Sequence, residues 1–201
     1  MTRFKLLFLA LLLSLSAPVA AMAQIAPETA QDRVVGATSA PLTLTVYLST
    51  TCPHCARWHM DVYPLIESKY VDRGLLRVVY RDLPTSPQRV AMAGAVIARC
   101  APESRYEDVM AALFRDQSRM RAQGDVDAWL AAGGTAGGLD AGTITTCLAN
   151  QGNFAEIEAM ATQAMYDGIQ GTPTFFLNGN RIDADDLEAF DAAAQPLLAG
   201  R

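Results

Sequence analysis

Cys52-Pro53-His54-Cys55 is the stretch whose residue types and spacing most directly support chemistry. A Cys-x-x-Cys between a strand and a helix start puts its first thiol where unpaired N–H groups and the helix dipole favour an anion. That lowers the thiol pKa and supplies thiolate at neutral pH. The second thiol, one turn on, can close a disulfide with the first or resolve a mixed one. Pro53 suits the first helical turn, where a missing N–H costs nothing. His54 can add a hydrogen bond or a positive charge. The expected product is a reactive, oxidising disulfide, with Cys52 the exposed nucleophile and Cys55 the resolving thiol.

Two other readings of the motif compete. A zinc site wants a second ligand pair, whereas Cys100 and Cys147 are single and far apart, and His59 lies one helical turn beyond Cys55. No metal is expected. A purely structural Cys52–Cys55 disulfide would close so short a loop that it constrains the unfolded chain little. Four cysteines allow three pairings, and the spacing favours Cys52–Cys55 plus Cys100–Cys147. The second pair reads as a structural staple, with a second redox pair as the alternative. His59 is expected at the surface or rim. Trp58, Trp129 and most of Met92, Met110, Met120, Met160 and Met165 read as packing residues, although methionines can also line a peptide groove.

The elements that would position the motif follow from pattern. Val34-Val35 reads as an edge strand. Leu42 to Leu48 alternates as a strand, Leu-Thr-Leu-Thr-Val-Tyr-Leu, and Ser49-Thr50-Thr51 offers N-caps for a helix from about Cys52 to Tyr70. Pro64 should kink that helix. Leu75 to Tyr80 reads as a second central strand. Pro84 and Pro87 mark a boundary, after which helices are predicted at about 88–99, 103–115, 125–131, 140–149 and 153–167. Thr174 to Leu177, the Asn178-Gly179-Asn180 turn and Arg181-Ile182 read as a hairpin. Residues 185–198 form a final helix, with Asp183, Asp185, Asp186 and Glu188 at its solvated start.

The chain has 201 residues, is 51% hydrophobic and 18% charged, and carries a formal net charge of −5. That balance fits a globular protein and fits collagen, coiled coil or disorder poorly. Fourteen Arg and two Lys form no basic run, which argues against a nucleic-acid partner. Arg3 and Lys5, the apolar run Leu6 to Ser16 and Ala21-Met22-Ala23 have the order of a cleavable signal peptide over residues 1–23. The apolar run is short for a membrane span. Without these residues the chain has 14 basic and 21 acidic side chains, a net charge of −7. An even cysteine count suits an oxidising, exported setting.

Cys-Pro-His-Cys after a strand, a helical block, and then Gly171-Thr172-Pro173-Thr174-Phe175-Phe176-Leu177-Asn178-Gly179 resemble the DsbA family of thiol:disulfide oxidoreductases over Val34 to Leu198. The resemblance implies an α/β fold of thioredoxin type, a central mixed β-sheet flanked by helices, with an inserted all-helical domain. The corresponding boundaries are 24–85 and 169–201 for the discontinuous thioredoxin-like domain and 86–168 for the insertion. It also implies that Pro173 is cis and packs beside the active-site cysteines, and that Thr172 presents its backbone to a substrate peptide. The substrates would be reduced exported polypeptides, and the partner a quinone-linked membrane oxidase of the DsbB type. The family setting is the periplasm. A monomer without cofactor, metal or nucleic acid is expected.

Two features leave the direction of electron flow open. Many DsbA relatives carry a buried Glu six residues before the first cysteine, where this chain has Val46. A threonine at the position of Thr172 is shared with isomerase-type relatives. A reductase or isomerase, for example one serving cytochrome c maturation, and a peptide-binding chaperone with a structural disulfide are therefore the rival functions. The stretch before Val34 is short for the separate dimerisation domain that exported isomerases of this fold usually carry.

Overall fold

The computed structural model describes residues 25–200, so the expected signal peptide lies outside the described residues. Five strands form one mixed sheet in the order β1-β3-β2-β4-β5. They are β1 Arg33–Val35, β2 Leu42–Leu48, β3 Leu76–Asp82, β4 Thr174–Leu177 and β5 Asn180–Ile182. Only β2 and β3 run parallel; the other three pairings are antiparallel.

The two central strands alternate in the way a sheet covered on both faces requires. Leu42, Leu44, Val46 and Leu48 point into the main core with Leu76, Val78, Tyr80, Phe175 and Leu177. Tyr47 and Phe176 face the other way, onto Ala164 and Ile169. The β4–β5 turn places Asn178 and Gly179 at φ 48° and 81°, the two left-handed positions of a tight hairpin whose twist matches its strands.

The helix after β2 is less regular than its pattern suggests. It begins as α1, Pro53–Arg57, passes through a π turn at Trp58–Val62, resumes as α2, Tyr63–Ile66, and ends in a second π turn at Glu67–Val71. Pro64 cannot donate to the preceding turn, and the wide turn ahead of it absorbs the missing bond. The irregularity around Pro64 consists of these two π turns.

Between β3 and β4 the chain forms α3 Gln88–Cys100, a 3-10 turn at Glu103–Arg105, α4 Tyr106–Gln123, α5 Val126–Ala136, α6 Ala141–Ala149 and α7 Gln151–Tyr166; α8, Leu187–Ala199, closes the fold. Side-chain caps start four of these helices, with Asn150 accepting from Gly152 N–H at the start of α7. Asp125, Asp140 and Asp186 accept from the main-chain N–H three residues on, satisfying an otherwise orphaned donor. Helix α4 starts and ends later than the predicted 103–115. Its second half looks polar, yet Gln117 and Met120 are buried beside Leu113 and Phe114, and Gly124 at φ +74° supplies the left-handed stop.

The inserted helices are stapled by Cys100–Cys147, which joins the end of α3 to α6 with Cα atoms 6.3 Å apart. Trp58 and Trp129 are packing residues, and their indole N–H groups donate to Ala184 O and Leu113 O. Met110 and Met120 are buried while Met165 is exposed. Among the described residues no helix is long and apolar enough to cross a membrane.

Candidate active site

Strand β2 leads directly into the Cys-x-x-Cys turn. Cys52 is the N-cap of α1, with extended backbone (φ −81°, ψ 120°), and Pro53 occupies the first helical turn. The preceding segment is held by several hydrogen bonds. Cys52 N–H donates to Ser49 O and Cys52 O accepts the first helical bond from Ala56 N–H. Thr50 Oγ1 donates to Ala91 O of α3 at 2.9 Å. Ser49 Oγ accepts from Thr85 N–H at 3.0 Å. Two side chains of α4 complete the set: Gln117 Nε2 donates to Thr50 O and Cys52 O, and Arg121 Nη1 donates to Thr51 O.

The two thiols differ in surroundings. Cys52 keeps 7% of its surface and Cys55 none, so Cys52 is exposed only relative to its partner. Both are free thiols. The Cys52 thiol donates to Thr172 O at 3.2 Å. Its pKa is lowered to about 5, first by the hydrogen bond from Cys55, against the opposing effect of burial, and then by Thr172 and the N–H groups of Cys55 and His54. Burial and the neighbouring Cys52 push Cys55 well above the ordinary thiol value. Thr172 Oγ1 is buried and makes no hydrogen bond of ordinary geometry; its nearness still favours the anionic form of both sulfurs. This split suits a pair in which one sulfur attacks or leaves as thiolate and the other holds its proton until needed.

Pro173 is half-buried and follows a cis Thr172–Pro173 peptide bond. A second cis bond, Ser86–Pro87, was not expected; the carbonyls of Thr85 and Ser86 accept from Thr51 Oγ1 at 3.3 and 3.4 Å. Val46 is fully buried and pairs with Tyr80 and Phe175 across the sheet, so no carboxyl group stands at that position.

One of the two histidines departs from expectation. The His54 imidazole is exposed, because the second position of a helix projects outward, and the main-chain N–H of His54 is among the groups that favour the Cys52 thiolate. His59, expected at the rim, is only 5% exposed. It packs between Trp58, Tyr63 and Phe114, and neither ring nitrogen has a partner. Burial lowers its pKa to about 4, so it is a neutral ring at ordinary pH. The π turn and the overlying α4 convert an apparent surface position into a core one. Among the described residues no group of three or more His, Cys, Asp or Glu is placed to hold a metal ion.

Sequence reasoning missed Gln117 and Arg121. Their spacing with Leu113, Phe114 and Met120 at three- and four-residue steps was the available signal.

Comparison with known proteins agrees with this architecture. A Rickettsia conorii protein that carries the name of a protein-disulfide oxidoreductase is 25% identical over 170 residues, 83% of this chain and 60% of the relative. The chain thus spans about 60% of the length of that relative. Among solved structures, alpha-DsbA1 of Wolbachia pipientis superposes with a TM-score of 0.78 at 22% identity, covering 86% of this chain and 94% of that one. BdbD of Bacillus subtilis gives a TM-score of 0.76 at 18% identity over 88% of this chain and 98% of its own. At such identities the likeness is one of fold. The family model described as Thioredoxin matches residues 28–195, a run that takes in the sheet, the inserted helices and the Cys52–Cys55 turn, and the chain belongs to that family.

Proposed function

We propose that this protein is a thiol:disulfide oxidoreductase that donates its Cys52–Cys55 disulfide to reduced, exported polypeptides. The observation that carries the reading is the opposed tuning of two thiols one helical turn apart, Cys52 held low and Cys55 held high. A substrate thiolate attacks Cys52 Sγ of the disulfide. The Cys52–Cys55 bond breaks, a mixed disulfide forms, and Cys55 leaves and takes up a proton. A second substrate thiolate then attacks the substrate sulfur, closes the new disulfide and expels Cys52 as its stabilised thiolate. Two electrons have passed from substrate to protein. A low-pKa leaving thiolate favours this second step. The electrons are passed on to a quinone-linked membrane oxidase of the DsbB type, which restores the disulfide.

On this reading Cys52 is the nucleophile and Cys55 the resolving thiol. Pro53 and the His54 main chain shape the helix start, and Thr172 with Pro173 forms the edge that a substrate peptide meets. Cys100–Cys147 is structural. The division into 24–85 with 169–201 and an insertion of 86–168 follows the element order, and residues 1–23 direct a monomer to the periplasm. Stoichiometric oxidised protein mixed with a reduced, unfolded disulfide substrate tests the direction. Rapid formation of substrate disulfides is expected. Failure to oxidise, together with efficient reduction of insulin, would move the reductase reading ahead, and inactivity in both assays would favour the chaperone reading.

A further inference from the structure

The active-site turn is gripped from behind by the insertion. Thr50, Thr51 and Cys52 are 1%, 0% and 7% exposed, so each main-chain carbonyl needs an internal donor. Gln117, itself 3% exposed, supplies two from one carboxamide nitrogen, at 2.8 Å to Thr50 O and 3.1 Å to Cys52 O. Arg121, one turn further along α4, supplies the third at 3.0 Å to Thr51 O. Residues four apart lie on one helix face, so a single face of α4 meets three successive carbonyls.

These carbonyls are not incidental to the thiol. Cys52 O also accepts the first bond of α1, from Ala56 N–H at 3.1 Å. The tilt of that peptide unit therefore governs both how α1 begins and where Cys52 Sγ points. A buried carboxamide is costly unless fully bonded, and simple packing at this depth would be met by Leu or Met. Here the carboxamide is directed at the loop that ends on the reactive cysteine.

We infer that Gln117 and Arg121 are positioning residues for the Cys52 thiol, holding the Thr50–Cys52 backbone so that the sulfur stays against Thr172 and the N–H groups at the start of α1. The inference rests on the reading of Cys52 as the reactive thiol. It gives the insertion a part in the redox chemistry. Two of its side chains set the reactivity of a sulfur carried by another part of the fold.

The test uses the whole chain with Gln117→Leu, Arg121→Met and Arg121→Lys. The ultraviolet absorbance of the Cys52 thiolate is followed against pH, beside a reduction potential measured against glutathione. Gln117→Leu and Arg121→Met should each raise the Cys52 titration by about one pH unit, a tenfold loss of thiolate relative to thiol at a given pH, and make the disulfide less oxidising. Arg121→Lys, which keeps a donor and the charge, should restore most of the shift. Arg121 is exposed, so its variants decide the matter even if Gln117→Leu does not fold. Titrations that superpose on the parent protein's would overturn the inference and leave the proposed function standing. A parent protein without any low-pH thiolate would overturn both.

Discussion

The Cys52 sulfur and the Thr172 carbonyl oxygen face one another at 3.2 Å across 120 residues of chain. This contact joins the start of α1 to the loop before β4, so the geometry of the thiol depends on the whole sheet being in register. Val46 opposite Phe175 and Tyr47 opposite Thr174 fix that register from the β2 side, because a one-residue slip would turn the core face of either strand to the opposite side.

Removing the Cys100–Cys147 bond should weaken the fold without silencing the chemistry. The bond closes a separation of 47 residues, for which loop entropy alone corresponds to about 4 kcal/mol. A Cys100→Ser/Cys147→Ser double variant should lose stability of that order in denaturant unfolding and keep most of its substrate oxidation at low temperature. Unchanged stability with abolished oxidation would assign the pair a redox role.

Gly94→Ala should damage the site from a distance. A Cβ at position 94 would come within 2.5 Å of Thr50 Oγ1 and 2.8 Å of the Trp129 ring. Overpacking of this kind costs about 1–3 kcal/mol, and here the displaced group is the anchor of the active-site turn. A lower melting temperature together with a raised Cys52 titration is expected. A variant that melts and titrates like the parent would show that the Thr50–Ala91 contact yields freely.

His59 should make stability fall on acidification. Its folded pKa is about 4 against the ordinary 6.5, so between those values the unfolded chain binds the extra proton. The contribution is complete above the unfolded value and is lost as the pH drops toward the folded one, the loss reaching about 2 kcal/mol by pH 5. Burial raises the nearby Glu67 and Glu107, which act in the opposite sense, so the comparison is with His59→Leu. Denaturant unfolding at pH 7.5 and about pH 5 should show the parent losing more stability than the variant. Equal losses would mean that His59 is solvated.

Much of this was legible in local pattern. Strand β2 is written in alternation, the β4–β5 hairpin in Asn178-Gly179, and the Cys52–Cys55 turn in two cysteines and a proline. What escaped depends on contacts between segments distant in sequence. Gln117 sits in a run of polar residues that reads as solvent-facing, and only the approach of the Thr50–Cys52 carbonyls gives it a buried purpose. His59 looked like a rim residue because the π turn at Trp58–Val62 and the cover from α4 have no signature in composition. The late end of α4 escaped for the same reason.

Paired thermal melts of the oxidised and reduced protein, with Cys100–Cys147 kept intact in both, test the central claim most directly. The reduced form carries a Cys52 thiolate whose folded pKa of about 5 lies below the ordinary 9.0. Its stabilisation is complete above the unfolded value and fades as the pH falls through the folded one, with about 3 kcal/mol present at pH 7. The reduced protein should therefore melt above the oxidised protein at pH 7, and the gap should narrow as the pH approaches 5. An oxidised form that melts higher at pH 7, or a gap that does not respond to pH, would contradict an oxidising Cys52–Cys55 disulfide.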